Sequence, residues 1–152
     1  MDKFEGKTVL VTGSCGTVGA ELIHQLMLSN ASTIICLDNN ETELFFQRER
    51  YRDSGKLVSY FVDMRDRDAL KLRFRDVDIV LHTAALKHVG ICEDSPGQAI
   101  ATNILGTQNV IDAALDNHCE RVIFTSSDKA VNPTNVMGTS KLMGERLMTA
   151  AA

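Results

Sequence analysis

Apolar and polar residues alternate in blocks along the chain, and the blocks have two characteristic lengths. Short apolar runs rich in β-branched residues predict buried strands at residues 8–12, 33–37, 57–62, 78–82 and 121–125. Longer stretches with apolar residues at helical spacing predict helices at residues 18–29, 41–52, 66–75, 97–117 and from 135 to the end. Strands that alternate with helices in this way predict an α/β fold, a parallel sheet with helices on both faces.

A glycine-rich turn joins the first predicted strand to the first predicted helix. Gly13, Gly16 and Gly19 occupy its first, fourth and seventh positions, and Thr17 and Val18 lie where the helix begins. Glycine permits a tight turn, lets backbone amides approach a pyrophosphate, and allows a helix to pack closely on a strand. The turn therefore predicts a dinucleotide site of the Rossmann type. A glycine-rich turn without a ligand is the alternative.

Acidic residues at the ends of the next two strands extend this prediction to the rest of a dinucleotide. Asp38 ends the second strand, at the distance from Gly19 where a ribose-binding carboxylate is expected. A carboxylate accepts both ribose hydroxyls and repels a 2′-phosphate, so the predicted cofactor is NAD rather than NADP. Asp63 and Met64 follow the third strand and are placed to meet the adenine, with a solvated loop acid as the alternative for Asp63.

Small residues follow the fourth strand. Ala84 and Ala85 would let the backbone approach the cofactor closely. We expect His82 to be a satisfied, partly buried histidine rather than a catalyst. Cys15 lies near a helix N-terminus that could lower its pKa, although a small residue that fits the loop is the simpler interpretation.

Composition limits the class of protein. A chain of 152 residues fits one domain, and its 44% hydrophobic and 24% charged residues are typical of a globular protein that folds in water. A net charge of −4 without runs of like charge argues against nucleic acid as a partner. The four cysteines have no paired metal-ligand spacing, so no metal is expected and reduced thiols are predicted. The N-terminal apolar run is too short for a signal peptide or membrane span, which makes the cytoplasm the expected compartment.

Two further stretches narrow the class. They are residues 84–89, AALKHV, and residues 125–138, TSSDKAVNPTNVMG. Together with the glycine turn and the lysine of the last helix, they resemble the extended short-chain dehydrogenase/reductase superfamily, and within it the UDP-N-acetylglucosamine 4,6-dehydratases of polysaccharide and glycan biosynthesis. The resemblance implies a Rossmann-type doubly wound sheet. It also implies that residues 1–152 are the NAD-binding domain and that a C-terminal substrate-binding region is absent from this chain.

The resemblance also implies a reaction on a nucleotide sugar. Hydride passes from carbon 4 of the hexose to NAD, water leaves across carbons 5 and 6, and hydride returns to carbon 6, which gives a 4-keto-6-deoxy sugar nucleotide. By this resemblance Asp128 is the acid and Lys129 the base of the elimination. Both follow the fifth strand, at the sheet edge where such folds hold ligands, and a carboxyl and an amine can supply the two roles. An exposed ion pair on a loop is the alternative.

Four other residues have roles implied by the resemblance. Ser127 hydrogen-bonds the sugar hydroxyl, and Lys141 holds the nicotinamide ribose and favours the alkoxide. Asn103 is expected to brace Lys141 through water. Met137 departs from the superfamily, which has tyrosine four residues before the lysine, because a thioether cannot take a proton. A branch of the dehydratase group carries Met at this place, and Met137 is expected to line the pocket.

Two other functions are considered. A nucleotide-sugar 4-epimerase would share everything up to the active site, but epimerisation needs no elimination pair. A non-catalytic NAD-binding module would account for the missing tyrosine. The long helix has more apolar positions than one sheet-facing stripe requires, so we expect a homo-oligomer, with contact to the C-terminal region as the alternative. We expect the 152 residues to bind NAD but to catalyse nothing, because the nucleotide sugar would be held partly by the absent region.

Overall fold

A computed structural model describes residues 3–152 as a single parallel sheet with helices packed on it. Five strands form the sheet in the order β3-β2-β1-β4-β5, and every neighbouring pair is parallel. The strands are β1 (Thr8–Thr12), β2 (Thr33–Asp38), β3 (Leu57–Phe61), β4 (Ile79–His82) and β5 (Arg121–Phe124). The predicted parallel sheet and all five predicted strands are confirmed.

Seven α-helices are found in the described residues. They are α1 (Thr17–Leu28), α2 (Glu41–Arg50), α3 (Arg67–Arg73), α4 (Val89–Asp94), α5 (Pro96–Ala99), α6 (Gly106–Asp116) and α7 (Val136–Ala150). A π-helical segment, Ile100–Leu105, joins α5 to α6, so the predicted long helix is real but locally underwound into wider turns. The sequence analysis missed α4, because its six residues are too few to show a helical period.

The helices cover both faces of the sheet. Successive residues of a strand point to opposite faces, and β1 follows this rule: Leu10 contributes to one buried cluster and Val9 and Val11 to another. Ile23 and Leu26 of α1 pack against Val9 and Val11. On the other face, residues of α3 and α6 pack around Leu10, notably Leu70, Phe74, Val110 and Ala114. The sheet is therefore fixed from both sides, and the loops at its carboxyl edge start from rigid positions.

The topology places three loops side by side at this edge. Strand β1 lies between β2 and β4, and Thr12 is in register with Leu37 of β2 and with His82 of β4. The chain crosses from the β2 side of the sheet to the β4 side here, and such a switch point opens a crevice beyond the carboxyl ends of the strands. Gly13, Asp38 and Thr83 consequently emerge next to one another.

His82 is buried and satisfied, as predicted, and the burial is complete. Its Nε2 lies 3.1 Å from Thr107 Oγ1, whose hydroxyl donates to the carbonyl oxygen of Asn103. Thr107 Oγ1 must then accept from Nε2–H, so Nδ1 is unprotonated and accepts from the Thr12 hydroxyl at 2.6 Å. Burial, with the charge of Lys141 as a smaller cause, lowers the pKa of His82 to about 3. The neutral ring of His82 therefore links Thr12 of β1 to Thr107 of α6.

Within residues 3–152, no helix combines the length and the apolar character needed to cross a membrane. In the same part of the chain, no three His, Cys, Asp or Glu side chains are grouped as a metal site would require.

Candidate cofactor and catalytic site

A cleft of about 610 Å³ lies at the carboxyl edge of the sheet, between the glycine turn and the loops that follow β2, β3 and β4. It brings together ten of the eleven residues predicted to bind the cofactor. They are Gly13, Gly16, Thr17, Val18, Gly19, Asp38, Asp63, Met64, Ala84 and Ala85. Lys141, the eleventh, does not line the cleft.

Two of the three glycines are required by the packing of the chain itself. Gly13 has a φ of +65°, and a Cβ atom on it would lie 2.7 Å from the Cα of Ala84. A Cβ on Gly19 would lie 2.1 Å from the carbonyl oxygen of Gly13. Both distances are far below van der Waals contact, so glycine lets the loop after β4 and the helix α1 close on the turn.

Gly16 has no such internal reason to be glycine. Its φ of −69° is open to any residue, and a Cβ on it would meet a single protein atom within 4 Å, the Gly13 carbonyl oxygen at 3.3 Å. Gly16 is exposed and lines the cleft. An exposed glycine with a single close neighbour fits a ligand that approaches the backbone from outside, as a pyrophosphate does.

The N-terminus of α1 fits an anion for a second reason. Asn40, Asp66 and Asn135 cap α2, α3 and α7 through side-chain oxygens, whereas Gly16 gives α1 no side-chain cap. The first backbone N–H groups of a helix have no partner inside it, and they lie at the positive end of its dipole. At α1 these groups line the cleft, where a phosphate would satisfy them.

Asp38 is held at the rim of the cleft by two backbone amides. Its Oδ2 accepts from the N–H of Cys15 at 2.9 Å, and its Oδ1 accepts from the N–H of Asn40 at 3.0 Å. A carboxylate has about four lone-pair sites, so both oxygens keep capacity for ribose hydroxyls. The side chain is therefore oriented before any ligand arrives.

Cys15 is not activated by the helix. Its pKa is raised to about 11, chiefly by burial and then by the nearby negative charge of Asp38. The possible lowering by the N-terminus of α1 is thus wrong, because desolvation and a carboxylate both oppose the thiolate. Cys15 remains a small residue that fits the turn.

Asp63 is partly exposed and is paired with a neighbouring arginine. Arg65 donates from Nε to Asp63 Oδ1 at 2.9 Å and from its terminal nitrogen to Oδ2 at 2.5 Å. This pairing lowers the pKa of Asp63 to about 2, with the Arg65 side-chain hydrogen bond as the largest cause. Asp63 is therefore a paired, partly exposed acid in the lining of the cleft, and its contact with the adenine stays a prediction. Met64 beside it is buried, and its carbonyl oxygen accepts from the Asn109 amide at 3.0 Å.

The cleft also contains polar residues that the sequence analysis missed. They are Arg65, Lys87, Ser95, Gln98 and Thr102. Ser95 precedes residue 97, where no helix was predicted, whereas Gln98 lies in the predicted helix but carried no signal for the cleft. Lys87 lies within the AALKHV stretch, so a signal for it was present.

The three residues of the predicted elimination site lie on a turn after β5, outside the lining of this cleft. Asp128–Ala130 forms a 3-10 turn, in which the Ser127 hydroxyl donates to Asp128 Oδ1 at 3.0 Å and accepts from the N–H of Lys129 at 3.2 Å. Lys129 Nζ lies 3.5 Å from Asp128 Oδ1, and the Asp128 side chain is 88% exposed. The Ser127 hydrogen bond, then the Lys129 charge, lowers the pKa of Asp128. Within the described residues the two side chains form an exposed ion pair.

Lys141 is buried on α7. Its Nζ donates to the carbonyl oxygen of Thr125 at 2.9 Å and lies 4.7 Å from the centre of the Phe124 ring. Desolvation lowers its pKa to about 8. A Cβ on Gly144 would lie 2.7 Å from the Phe124 ring, so the missing side chain at Gly144 makes room for the ring beside the lysine.

The expectation for one neighbour of Lys141 is wrong. Met137 does not line the cleft, because it is 4% exposed and packs in a small core with Cys92 and Ala99. The Asn103 amide donates to the Leu86 carbonyl and to Ser140 Oγ, both at 2.9 Å, and its oxygen accepts from the N–H of Leu86 at 2.8 Å. Both amide protons are used in connecting the loop after β4 to α7, and a water-mediated contact between Asn103 and Lys141 stays a prediction.

Comparison with known proteins places this fold and these residues in a family. The profile of the family described as "Polysaccharide biosynthesis protein" matches residues 9–152. The chain belongs to this family. Its membership confirms the resemblance predicted from the glycine turn and from residues 84–89 and 125–138.

Curated relatives of this family member differ in their stated activities. The chain is 48% identical to an "Uncharacterized membrane protein" of Methanocaldococcus jannaschii and 39% identical to a UDP-N-acetylglucosamine 4,6-dehydratase (inverting) of Campylobacter jejuni; each match covers 97% of this chain and 44% of the relative. It is 38% identical to a UDP-glucose 4-epimerase of Rickettsia prowazekii over 98% of this chain and 45% of the relative. The chain thus spans less than half the length of the curated relatives it matches.

Solved structures show the same fold. The structure of Pen from Bacillus thuringiensis is 38% identical with a TM-score of 0.95, over 98% of this chain and 46% of that one. The dTDP-glucose 4,6-dehydratase DesIV of Streptomyces venezuelae, solved with NAD and TYD bound, is 25% identical with a TM-score of 0.86, over 94% of this chain and 51% of that one. A neighbour with bound NAD agrees with the cofactor predicted from the glycine turn and Asp38.

Proposed function

We propose that this family member is the NAD-binding part of a nucleotide-sugar 4,6-dehydratase that converts UDP-N-acetylglucosamine into a 4-keto-6-deoxy sugar nucleotide. The observation that carries the proposal is the adjacent carboxyl and amine of Asp128 and Lys129, on a turn at the sheet edge that also holds the glycine turn. A dehydration needs both an acid and a base, and this turn offers both. The 39% identity to a dehydratase of this specificity supports the choice of substrate.

NAD is the proposed cofactor. The free N–H groups of Thr17 and Val18 would hold its pyrophosphate, and Asp38 would accept its ribose hydroxyls. Asp63 and Met64 would line the adenine site. When bound, NAD supplies a temporary acceptor for a hydride. The fit of the pyrophosphate to the site rests on Gly16, which is exposed and where a Cβ atom would meet only the Gly13 carbonyl oxygen.

The elimination pair needs a change of environment before it can act. In the exposed turn, Asp128 is charged because Ser127 and Lys129 lower its pKa. Removal from water disfavours charge, so it would raise the pKa of a carboxyl and lower that of an ammonium. A bound sugar nucleotide that buries the turn would therefore convert Asp128 to an acid and Lys129 to a base. Ser127 would hydrogen-bond the sugar hydroxyl.

Lys141 would act by charge and hydrogen bonding. Its Nζ would hold the nicotinamide ribose and stabilise a developing alkoxide. Because its pKa is about 8, a fraction of the lysine is already neutral at physiological pH. Met137 takes no part in proton transfer, since it is buried in a core with Cys92 and Ala99.

The remainder of the site would lie outside these 152 residues. The relatives are more than twice as long as the matched region, which supports a separate substrate-binding region. We also propose a homo-oligomer that buries Ile100, Leu105, Leu115 and Met143, four apolar side chains exposed on the long helix and α7. The cytoplasm is the proposed compartment, supported by four free thiols.

A 4-epimerase is the second candidate, because relatives with that stated activity are 38% identical to this chain. The Asp128–Lys129 pair argues against it, since epimerisation at carbon 4 removes no water. The buried Met137 in place of a basic phenol is the observation that would favour a non-catalytic module.

One labelled substrate separates these candidates. The complete gene product is incubated with UDP-N-acetylglucosamine deuterated at carbon 4, and the products are followed by NMR. A dehydratase moves the deuterium to a carbon 6 methyl group and forms a 4-keto product without net oxidation. Deuterium retained at carbon 4 of an epimer would establish the epimerase instead, and bound NAD without turnover on any UDP-, GDP- or dTDP-sugar would establish the module.

A further inference from the structure

Arg65 joins two walls of the cofactor cleft. It follows β3, pairs with Asp63 through two hydrogen bonds, and donates from its third guanidinium nitrogen to Gln98 Oε1 at 2.9 Å. Asp63 belongs to the wall after β3, whereas Gln98 lies 33 residues after Arg65 on α5. All three line the cleft. The guanidinium therefore bridges the cleft between segments that the sheet alone does not connect.

The Asp63 end of the bridge is held at three points, although the Arg65 side chain is 47% exposed. The backbone N–H of Arg65 also donates to Asp63 Oδ1 at 2.9 Å, so the same carboxylate fixes both ends of the residue. Because the pKa of Asp63 is about 2, the carboxylate is charged at every pH where the protein would work. Arginine is charged over the same range, and its planar fork suits a two-point contact with a carboxylate.

We propose that Arg65 and Gln98 form a clasp over the adenine end of the cleft that slows the release of the dinucleotide. The inference rests on the proposed NAD site, in which Asp63 and Met64 line the adenine pocket. A guanidinium plane stacks on aromatic rings. Arg65 can therefore cover a purine while Asp63 and Gln98 accept hydrogen bonds from the edges of the guanidinium. Residence time is the quantity it sets, because affinity differences between related complexes arise mostly in dissociation rates.

A retained cofactor suits the proposed reaction. The dehydration returns its hydride to the sugar, so NAD is regenerated in each cycle and need not exchange. A clasp that delays exchange would cost such an enzyme no turnover, whereas it would slow an enzyme that consumes NAD.

The test measures the NAD dissociation rate by displacement in stopped flow, on the 152-residue chain. Gln98→Leu removes the acceptor at nearly constant size, and Arg65→Ala removes the clasp. The matched control is Lys71→Met, which breaks the exposed Lys71–Asp116 ion pair of 2.8 Å on the far surface. We expect each clasp variant to release NAD about three- to tenfold faster, the double variant to be no faster than Arg65→Ala, and the control to match the wild type.

AMP provides the second readout. The affinity for AMP, which contains the adenine half, should fall by the same factor as the affinity for NAD. Unchanged dissociation in both Arg65→Ala and Gln98→Leu would overturn the clasp while leaving the NAD site intact. A wild-type chain that binds neither NAD nor AMP would overturn the proposed cofactor site itself, and with it the clasp. Circular dichroism of both variants checks that they fold, and Gln98→Leu keeps the clasp testable if Arg65→Ala does not fold.

Discussion

A Cβ atom on Gly138 would lie 2.1 Å from the carbonyl oxygen of Lys129. The first turn of α7 therefore rests directly on the backbone of the turn that carries Asp128 and Lys129. The Asn135 side chain accepts from the N–H of Gly138 at 2.7 Å and fixes the start of the helix at this contact. One helix thus positions both Lys141 and the elimination pair.

Gly138→Ala should separate positioning from cofactor binding. The added methyl must push the Lys129 carbonyl away, and a displacement of about 1 Å near reacting groups can lower a rate by about 10²-fold. We expect the complete gene product with this change to lose stability, as in Gly19→Ala, and to lose most dehydration, measured as 4-keto product, while its folded fraction keeps the wild-type NAD affinity. Asp128→Asn and Lys129→Ala are the positive controls, expected to lose about 10²- to 10⁴-fold. Wild-type turnover in Gly138→Ala would show that the close contact between Gly138 and the Lys129 carbonyl is not needed for dehydration.

The sequence predicts the parts of this molecule that depend on local pattern. Alternating apolar blocks located all five strands, and the turn at Gly13, Gly16 and Gly19 located the cleft. Neither α4 nor the π-helical segment could be predicted, because six residues are too short for a period and a π turn depends on packing. The Arg65–Gln98 contact could not be predicted from the sequence for a related reason, because it joins side chains from two different elements.

Electrostatics of the site were harder to predict than its location. The helix at Cys15 suggested a lowered pKa, but burial and Asp38 raise it to about 11. Pairing of Asp63 with Arg65, two residues away, was equally invisible in the sequence. Such outcomes depend on desolvation and on the direction of side chains, which no residue spacing encodes.

Gly16→Ala and Gly19→Ala should affect different properties, NAD binding in the first variant and folding stability in the second. Gly19→Ala introduces a 2.1 Å contact with the Gly13 carbonyl, so we expect the free energy of unfolding to fall by about 1–3 kcal/mol or more. Gly16→Ala meets one protein atom at 3.3 Å, so the chain should fold with little loss while the new methyl obstructs a pyrophosphate. Urea unfolding and NAD titration of both variants check this. If Gly16→Ala bound NAD as well as the wild type, the phosphate site would have to lie elsewhere.

Asp38→Ala should change the preference between the two dinucleotides. The carboxylate accepts ribose hydroxyls and repels a 2′-phosphate, so its removal should weaken NAD and relieve the repulsion of NADP. We expect the ratio of the two affinities, measured by calorimetry, to shift towards NADP. Asn40→Ala is a control for the rim, because it alters a neighbour of Asp38 without removing the charge. An equal loss for NAD and NADP would contradict the ribose assignment.

Lys141→Met should alter the pH dependence of stability. The folded-state pKa of Lys141 is lowered from 10.5 to about 8. Between these two pH values the unfolded chain binds more protons than the folded chain. The free energy of unfolding of the wild type therefore rises with pH through this window. The penalty for burying the charge, up to about 3 kcal/mol, is complete below about pH 8. We therefore expect the variant to be more stable than the wild type near neutral pH, and this advantage to shrink towards about pH 10.

Urea unfolding of the two proteins across this range provides the measurement. The pKa values of Cys15 and Cys119 are raised to about 11, so these thiols make stability fall as pH rises above their unfolded pKa. Both proteins carry the two cysteines, and their effect cancels when the stability of the wild type is subtracted from that of the variant. A difference between variant and wild type that does not change with pH would show that Lys141 stays charged in the folded state.

Calorimetric titration of the 152-residue chain with NAD tests the central claim most directly. The glycine turn, Asp38 and Asp63 all lie within the chain, so the account predicts equimolar binding of NAD, weakened in Gly16→Ala and Asp38→Ala. It also predicts no 4-keto product from UDP-N-acetylglucosamine, because in the proposed function the sugar is oriented partly by residues outside these 152, and such orientation can be worth about 7–11 kcal/mol of barrier. No binding of NAD to a folded chain would contradict the cofactor site, and clear turnover by these residues alone would contradict the placement of the sugar site.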